Sequence, residues 1–274
     1  MPRSDSGAPR AFSTLGALFA FIALGWRRAA ANRAGILGLL ALYWLILMIF
    51  WALWQATPLH ELRRPGIDAT RLFWYMAVTE CVILAVGFPY RAVEKDIQSG
   101  EIAAALVRPL PYAAAILAEW IGATGYRLAL LAVGGLLAGI WATGTVAIPL
   151  AVVPALVFST VIATILALLC QLQLGYAAAW VGTPAPLFWI WQKLTFVLGG
   201  LMIPLTFYPA PFGSLAMASP FAAMVFAPAS FLLDGSPRAI LATLALQLLW
   251  LAVIGMATLL VARAAAARFA EQGI

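Results

Sequence analysis

Long apolar runs separated by short polar stretches set the rhythm of this chain. They cover 35–55, 69–88, 115–142, 146–170, 185–205 and 238–261. Each reaches the roughly 20 residues a helix needs to cross about 30 Å of hydrocarbon. Strand-like alternation is absent, so the pattern predicts a helical bundle and not a barrel. Phe12–Trp26 is a shorter apolar run closed by Arg27 and Arg28. Arg3 and Arg10 in front of it would suit a signal peptide. Two arginines directly behind it suit better a helix lying at the membrane surface, apolar face down. Phe207–Gly235 is apolar too, but Pro209, Pro211, Pro220 and Pro228 interrupt it, which predicts short re-entrant or interfacial helices instead of a span. The pattern as a whole predicts an all-α integral membrane protein: one domain over 1–274, six spans and an N-terminal interfacial helix.

Composition excludes a water-soluble fold. The chain is 65% hydrophobic and 9% charged, against about 25% charged in soluble domains, and no soluble fold could hide that much apolar surface. The net charge of +6 fits basic loops beside anionic lipid headgroups, and nucleic acid is not expected as a partner. With both termini inside, the cytoplasmic segments hold Arg3, Arg10, Arg27, Arg28, Arg33, Arg91, Lys95, Arg108, Arg263 and Arg268. The outer ones hold only Arg63, Arg64, Arg71 and Arg238, so the distribution predicts cytoplasmic termini. Trp51, Trp54, Trp74 and Trp141 fall near predicted outer ends, and Trp26, Trp120 and Trp180 near inner ones.

Residues with catalytic potential are few. Cys81 and Cys170 lie inside apolar runs and read as packing residues. His60, the single histidine, has no Cys or His near it in the sequence, which speaks against a zinc site or a His-based triad. No G-x-x-x-x-G-K-[ST] loop is present, so ATP hydrolysis by that route is not expected of this chain, nor is a bound metal or cofactor. Ionisable residues within spans are costly and become functional candidates: Glu80, Glu119, Arg127 and Lys193. They could line a path or hold the bundle together, Glu80 and Lys193 as a pair. Glu119 and Arg127 sit about 12 Å apart along one helix, too far to pair. Gly135-Leu-Leu-Ala-Gly139 could seat a close helix contact.

The strongest signal is a charged stretch between the second and third runs, "EKDIQSGEIAAALVRPLPY", Glu94 to Tyr112. Arg91–Gln98 can form a short helix that breaks at Ser99-Gly100, since glycine tolerates left-handed geometry. Glu101–Val107 can start again, with Glu101 well placed against the helix dipole. Val93 and Ile97 share a face, as do Ile102 and Leu106, and Pro109 and Pro111 stop the helix. The prediction is a rigid amphipathic elbow, which on these grounds alone could be a plain connection or a docking handle.

Here the chain resembles the membrane subunits of ABC-2-type transporters, which carry an acidic residue, a glycine, a leucine-rich turn and a proline at this place. In this sequence the pattern is Glu94, Gly100-Glu101 and Leu106-Val107-Arg108-Pro109. "SGEIAAALVRPLPY" is most similar to the six-span branch that includes viologen-exporter-type permeases. "PLTFYPAPFGSLAMASPFAAMVFAPASFLL" resembles the family's re-entrant outer segment, and "ARAAAARFAEQGI" its basic tail. The resemblance implies an exporter permease in a bacterial inner membrane, driven by a separate ATP-binding-cassette ATPase that holds the ATP and Mg. It also implies a second permease, identical or different. A coupling helix within Arg91–Pro109 would dock on the ATPase through Glu94, Ile97, Gly100, Glu101, Leu106, Arg108 and Pro109. The loop Gln171–Thr183 carries no charge, so a second docking contact there would rest on polar and backbone groups. A secondary transporter or channel is the alternative, although no repeat between the halves supports it.

Overall fold

The computed structural model of the chain describes residues 14–58, 67–102 and 110–271. Every regular element among them is helical. His60, Leu106, Arg108 and Pro109 lie outside the described residues. α1 (Thr14–Ala31) and α2 (Arg33–Ala56) are separated by Asn32 alone. Its side chain accepts the Gly35 N–H at 3.1 Å and caps α2. α3 (Ala69–Val86) starts behind Asp68, whose carboxylate takes the Arg71 N–H at 2.8 Å. After a break at Gly87 comes α4 (Pro89–Gln98), with Pro89 at its first position, where the missing N–H costs nothing. α5 (Tyr112–Thr143) ends at Gly144, whose φ of 70° terminates the helix. α6 (Val153–Tyr176) follows, then a single turn, α7 (Ala178–Val181), and α8 (Ala185–Leu198). Three short helices, α9 (Ala210–Met217), α10 (Pro220–Met224) and α11 (Phe226–Ser230), lead to the long α12 (Pro237–Glu271).

Five stretches are long and apolar enough to cross a membrane: Arg33–Ala56, Ala69–Gln98, Tyr112–Thr143, Leu150–Val181 and Pro237–Phe269. The chain is an all-α, multi-pass membrane protein. The fifth span, expected over 185–205, is not present as one helix. α8 stops at Leu198, about 21 Å long at about 1.5 Å per residue, because Gly199 and Gly200 follow it, Gly200 at φ 66°. The fourth run also differs from its expectation. Its helix runs on to Tyr176, and Gln171 and Gln173, which look like its end, find acceptors at the Gly87 break and in α12. The tail after 261 continues α12, and Ala265 and Phe269 are buried.

α3 is the centre of the bundle, buried nearly all round, as expected of a helix without a polar face. Tyr43 and Leu47 of α2, Leu131 and Ala138 of α5, and Ala229 and Leu232 pack with it. A second cluster joins α6 to α10 and α12. Gln247 and Ser159 lock it, the Ser159 hydroxyl donating to Gln247 Oε1 at 2.9 Å while Gln247 Nε2 donates to the Ala223 carbonyl at 2.9 Å. α1 lies across the start of α5. A Cβ at Gly25 would land on the Glu119 carbonyl, and one at Gly122 on that of Ile22, so the two backbones touch through their glycines. The Gly135/Gly139 pair serves otherwise, leaving room for the Tyr43 and Trp74 side chains.

Candidate functional site

Two features meet at the junction of α3 and α4. The first is the elbow. Val93 and Ile102 are fully buried with Ile116, Leu172, Tyr176, Ala265 and Phe269, and Ile97 packs against the same cluster. Gly175 on α6 lets α4 sit close, since a Cβ there would strike Val93. Polar and aromatic contacts fix the orientation. The Tyr112 hydroxyl donates to Asp96 Oδ2 at 2.7 Å, and Gln98 Nε2 donates to the Gly182 carbonyl at 3.0 Å. Tyr90 stacks on Phe188 with ring centroids 4.4 Å apart. The break falls at Ser99-Gly100, Gly100 taking a φ of 75°, and Glu101 and Ile102 are helical again. Arg91, Lys95 and Glu101 are exposed, whereas Glu94 is half-buried. Trp180 and Val181 of α7 are exposed beside α4.

The second feature is a cavity of about 570 Å³ bounded by α2, α3, α5, α6 and α8. Glu80, Arg127 and Gln171 are in its wall, among Ile83, Trp120 and Trp191. Arg127 Nη1 donates to the carbonyls of Ala85 and Val86, at 3.2 and 3.5 Å, and the guanidinium lies over the Trp120 ring. Gln171 Nε2 donates to the Gly87 carbonyl at 2.9 Å. Arg127 and Gln171 thus satisfy carbonyls that the end of α3 leaves without helical donors. Glu80 is 6% exposed, and no donor of the described residues reaches its carboxylate.

The other two ionisable candidates lie elsewhere. Glu119 pairs with Arg28 of α1, the only ion pair among the described residues. Lys193 is exposed on α8, its ammonium 5.7 Å from the centre of the Phe196 ring, so no Glu80–Lys193 ion pair is formed. Sequence reasoning overlooked Gln171, Tyr112 and Arg28. Gln171 carried a signal, because an amide in an apolar helix must find a partner. Tyr112 and Arg28 carried none, because their partners are distant in sequence.

Residues 70–273 match the model of one protein family, described as ABC-2 family transporter protein. The chain belongs to that family and is the membrane subunit of a transporter. A comparison with curated proteins found no match.

Proposed function

We propose that the chain is the permease subunit of an ATP-driven exporter in a bacterial inner membrane, with both termini cytoplasmic. It works with a separate ATP-binding-cassette ATPase, which carries the ATP and Mg, and with a second permease. The observation that carries this reading is the elbow: α4 is anchored on one side to α5, α6, α7 and α8, and presents charge on the other. A helix held so firmly passes a push at its outer face to α3 as a rigid body. The docking face comprises Arg91, Lys95, Glu101 and the neighbouring Trp180, and the family resemblance adds Leu106, Arg108 and Pro109, which lie outside the described residues. Ile97 supports the helix from inside. Lys193 favours the second permease. A cation among the exposed Trp189, Ile190, Leu194 and Val197 is costly against lipid, and a wet seam between two permeases would solvate it.

Mild-detergent extraction is expected to bring an ATPase down with the chain. The double substitution Lys95→Glu and Glu101→Lys should abolish that co-purification while the thermal midpoint of the membrane subunit stays put. Full retention of the ATPase by the folded double variant would refute docking through this face.

A further inference from the structure

An open groove of about 590 Å³ runs between α6 and α12, sharing only Trp191 with the cavity beside Glu80. Cys170 and Leu174 of α6 and Leu260 and Val261 of α12 give it apolar walls. Both helices belong to spanning stretches, Leu150–Val181 and Pro237–Phe269. Trp180, in the groove wall, is the next-to-last residue of the first stretch, and Arg268 is the next-to-last of the second. The groove therefore ends at the level where hydrocarbon gives way to headgroups, and where Trp and Arg are favoured.

That end is cationic. Leu260, Ala264 and Arg268 succeed one another on one face of α12, and the exposed Arg263 adjoins Ala264. Arg268 is half-buried, and its Nε–H is buried with no acceptor among the described residues. Neither arginine has a carboxylate partner among them, where the one ion pair joins Arg28 to Glu119. A buried donor without an acceptor costs free energy, and the guanidinium fork matches the oxygens of a phosphate. A ligand that satisfies both parts carries an anion at one end and hydrocarbon at the other. A soluble anion would leave the apolar walls uncovered, and a lipid with its own headgroup cation would meet Arg263. We propose that the groove binds an acidic phospholipid, one acyl chain lying along Leu174 and Leu260 and the phosphate held by Arg268 and Arg263. Ala265 and Phe269, on the adjoining face of α12, pack beneath the elbow with Val93 and Ile102. A lipid in the groove thus braces the helix end on which α4 rests, whether or not an ATPase docks there.

The test adds phosphatidylglycerol, phosphatidylcholine with the same chains, or chain-free glycerol phosphate to the full chain in detergent, and native mass spectrometry reads what binds. Phosphatidylglycerol is expected to bind about tenfold more tightly than phosphatidylcholine, and glycerol phosphate not to bind. Arg263→Gln with Arg268→Gln should erase that preference. Arg27→Gln with Arg33→Gln, at two exposed arginines of another helix junction, should keep it. Ala264→Phe should fill the groove and weaken both lipids with the arginines in place. Cys170, half-buried in the groove wall, gives a second readout, since saturating phosphatidylglycerol should slow its alkylation by a maleimide severalfold. Equal affinity for the two lipids, a preference that survives the loss of Arg263 and Arg268, or a Cys170 rate that the lipid leaves unchanged would overturn the proposal. So would glycerol phosphate binding as tight as phosphatidylglycerol, which would mark a site for soluble anions.

Discussion

Ala85, Val86 and Gly87 turn a helix end into a corner inside an apolar bundle, where carbonyls without donors cost several kcal/mol each if lipid is their only neighbour. The chain meets that cost with side chains from two other helices, Arg127 from α5 and Gln171 from α6. Arg127→Leu should accordingly destabilise the folded subunit by about 1–3 kcal/mol, read as a lower thermal midpoint in detergent, and Arg127→Lys should recover part of it. An unchanged midpoint for the leucine variant would mean that water serves those carbonyls. The sequence exposed Arg127 as a costly charge but hid its partners, because a backbone carbonyl has no residue identity to read. Glu80 was visible for the same reason as Arg127. Only the packing separates the two: Arg127 finds acceptors at the end of α3, and Glu80 finds no donor among the described residues.

Among the elements, α4 was the most legible. A Ser-Gly pair within a charged amphipathic stretch marks a stop, and Gly100 takes the φ > 0 that the stop requires. The Gly-Gly after α8 is the same signal in an apolar setting, where the hydropathy of the flanking residues masked it. The α1–α5 crossing was not legible at all. Gly25 and Gly122 stand singly, and nothing in the spacing links them. Gly122→Val would drive a side chain into the Ile22 carbonyl, so α1 must leave its seat. The expected result is faster proteolysis within α1 and a lower midpoint, whereas Gly38→Val, at a glycine with open space around it, should change neither. Equal protease resistance in the two variants would refute the crossing.

For the whole molecule, the class was legible from composition and run length, and the packing was not. In water-soluble proteins a buried face is recognisable because the other face is polar. Here Leu47 is fully buried and Leu45 is 58% exposed on the same helix, and both are leucine, since lipid and protein interior ask for the same chemistry. What does mark the interior is the sparse polar set, such as Ser159 with Gln247 or Tyr112 with Asp96. The last pair ties the elbow to the bundle, so in hydrogen–deuterium exchange the amides of α4 should be protected like those in the last turns of α3. Tyr112→Phe should speed exchange in α4 while α2 is unaffected. An α4 that exchanges like a free loop in the unmodified chain would remove the rigid elbow from this picture.

The glycine crossing also bears on how the chain is made. α1 leaves the ribosome with its docking groove, the start of α5, still unsynthesised. Roughly 100 residues must follow, which at about 5–20 residues per second is a wait of roughly 5–20 s. For that interval Gly25 is bare and Arg28 lacks Glu119. The headgroup layer is the one nearby medium that accommodates an apolar face beside Arg27 and Arg28. An α1 that lies at the membrane surface while the chain grows would have two successive homes, the second being the flank of α5 once it is there. The second home exists only if translation continues at least through Ala123, whose backbone lines the Gly25 contact.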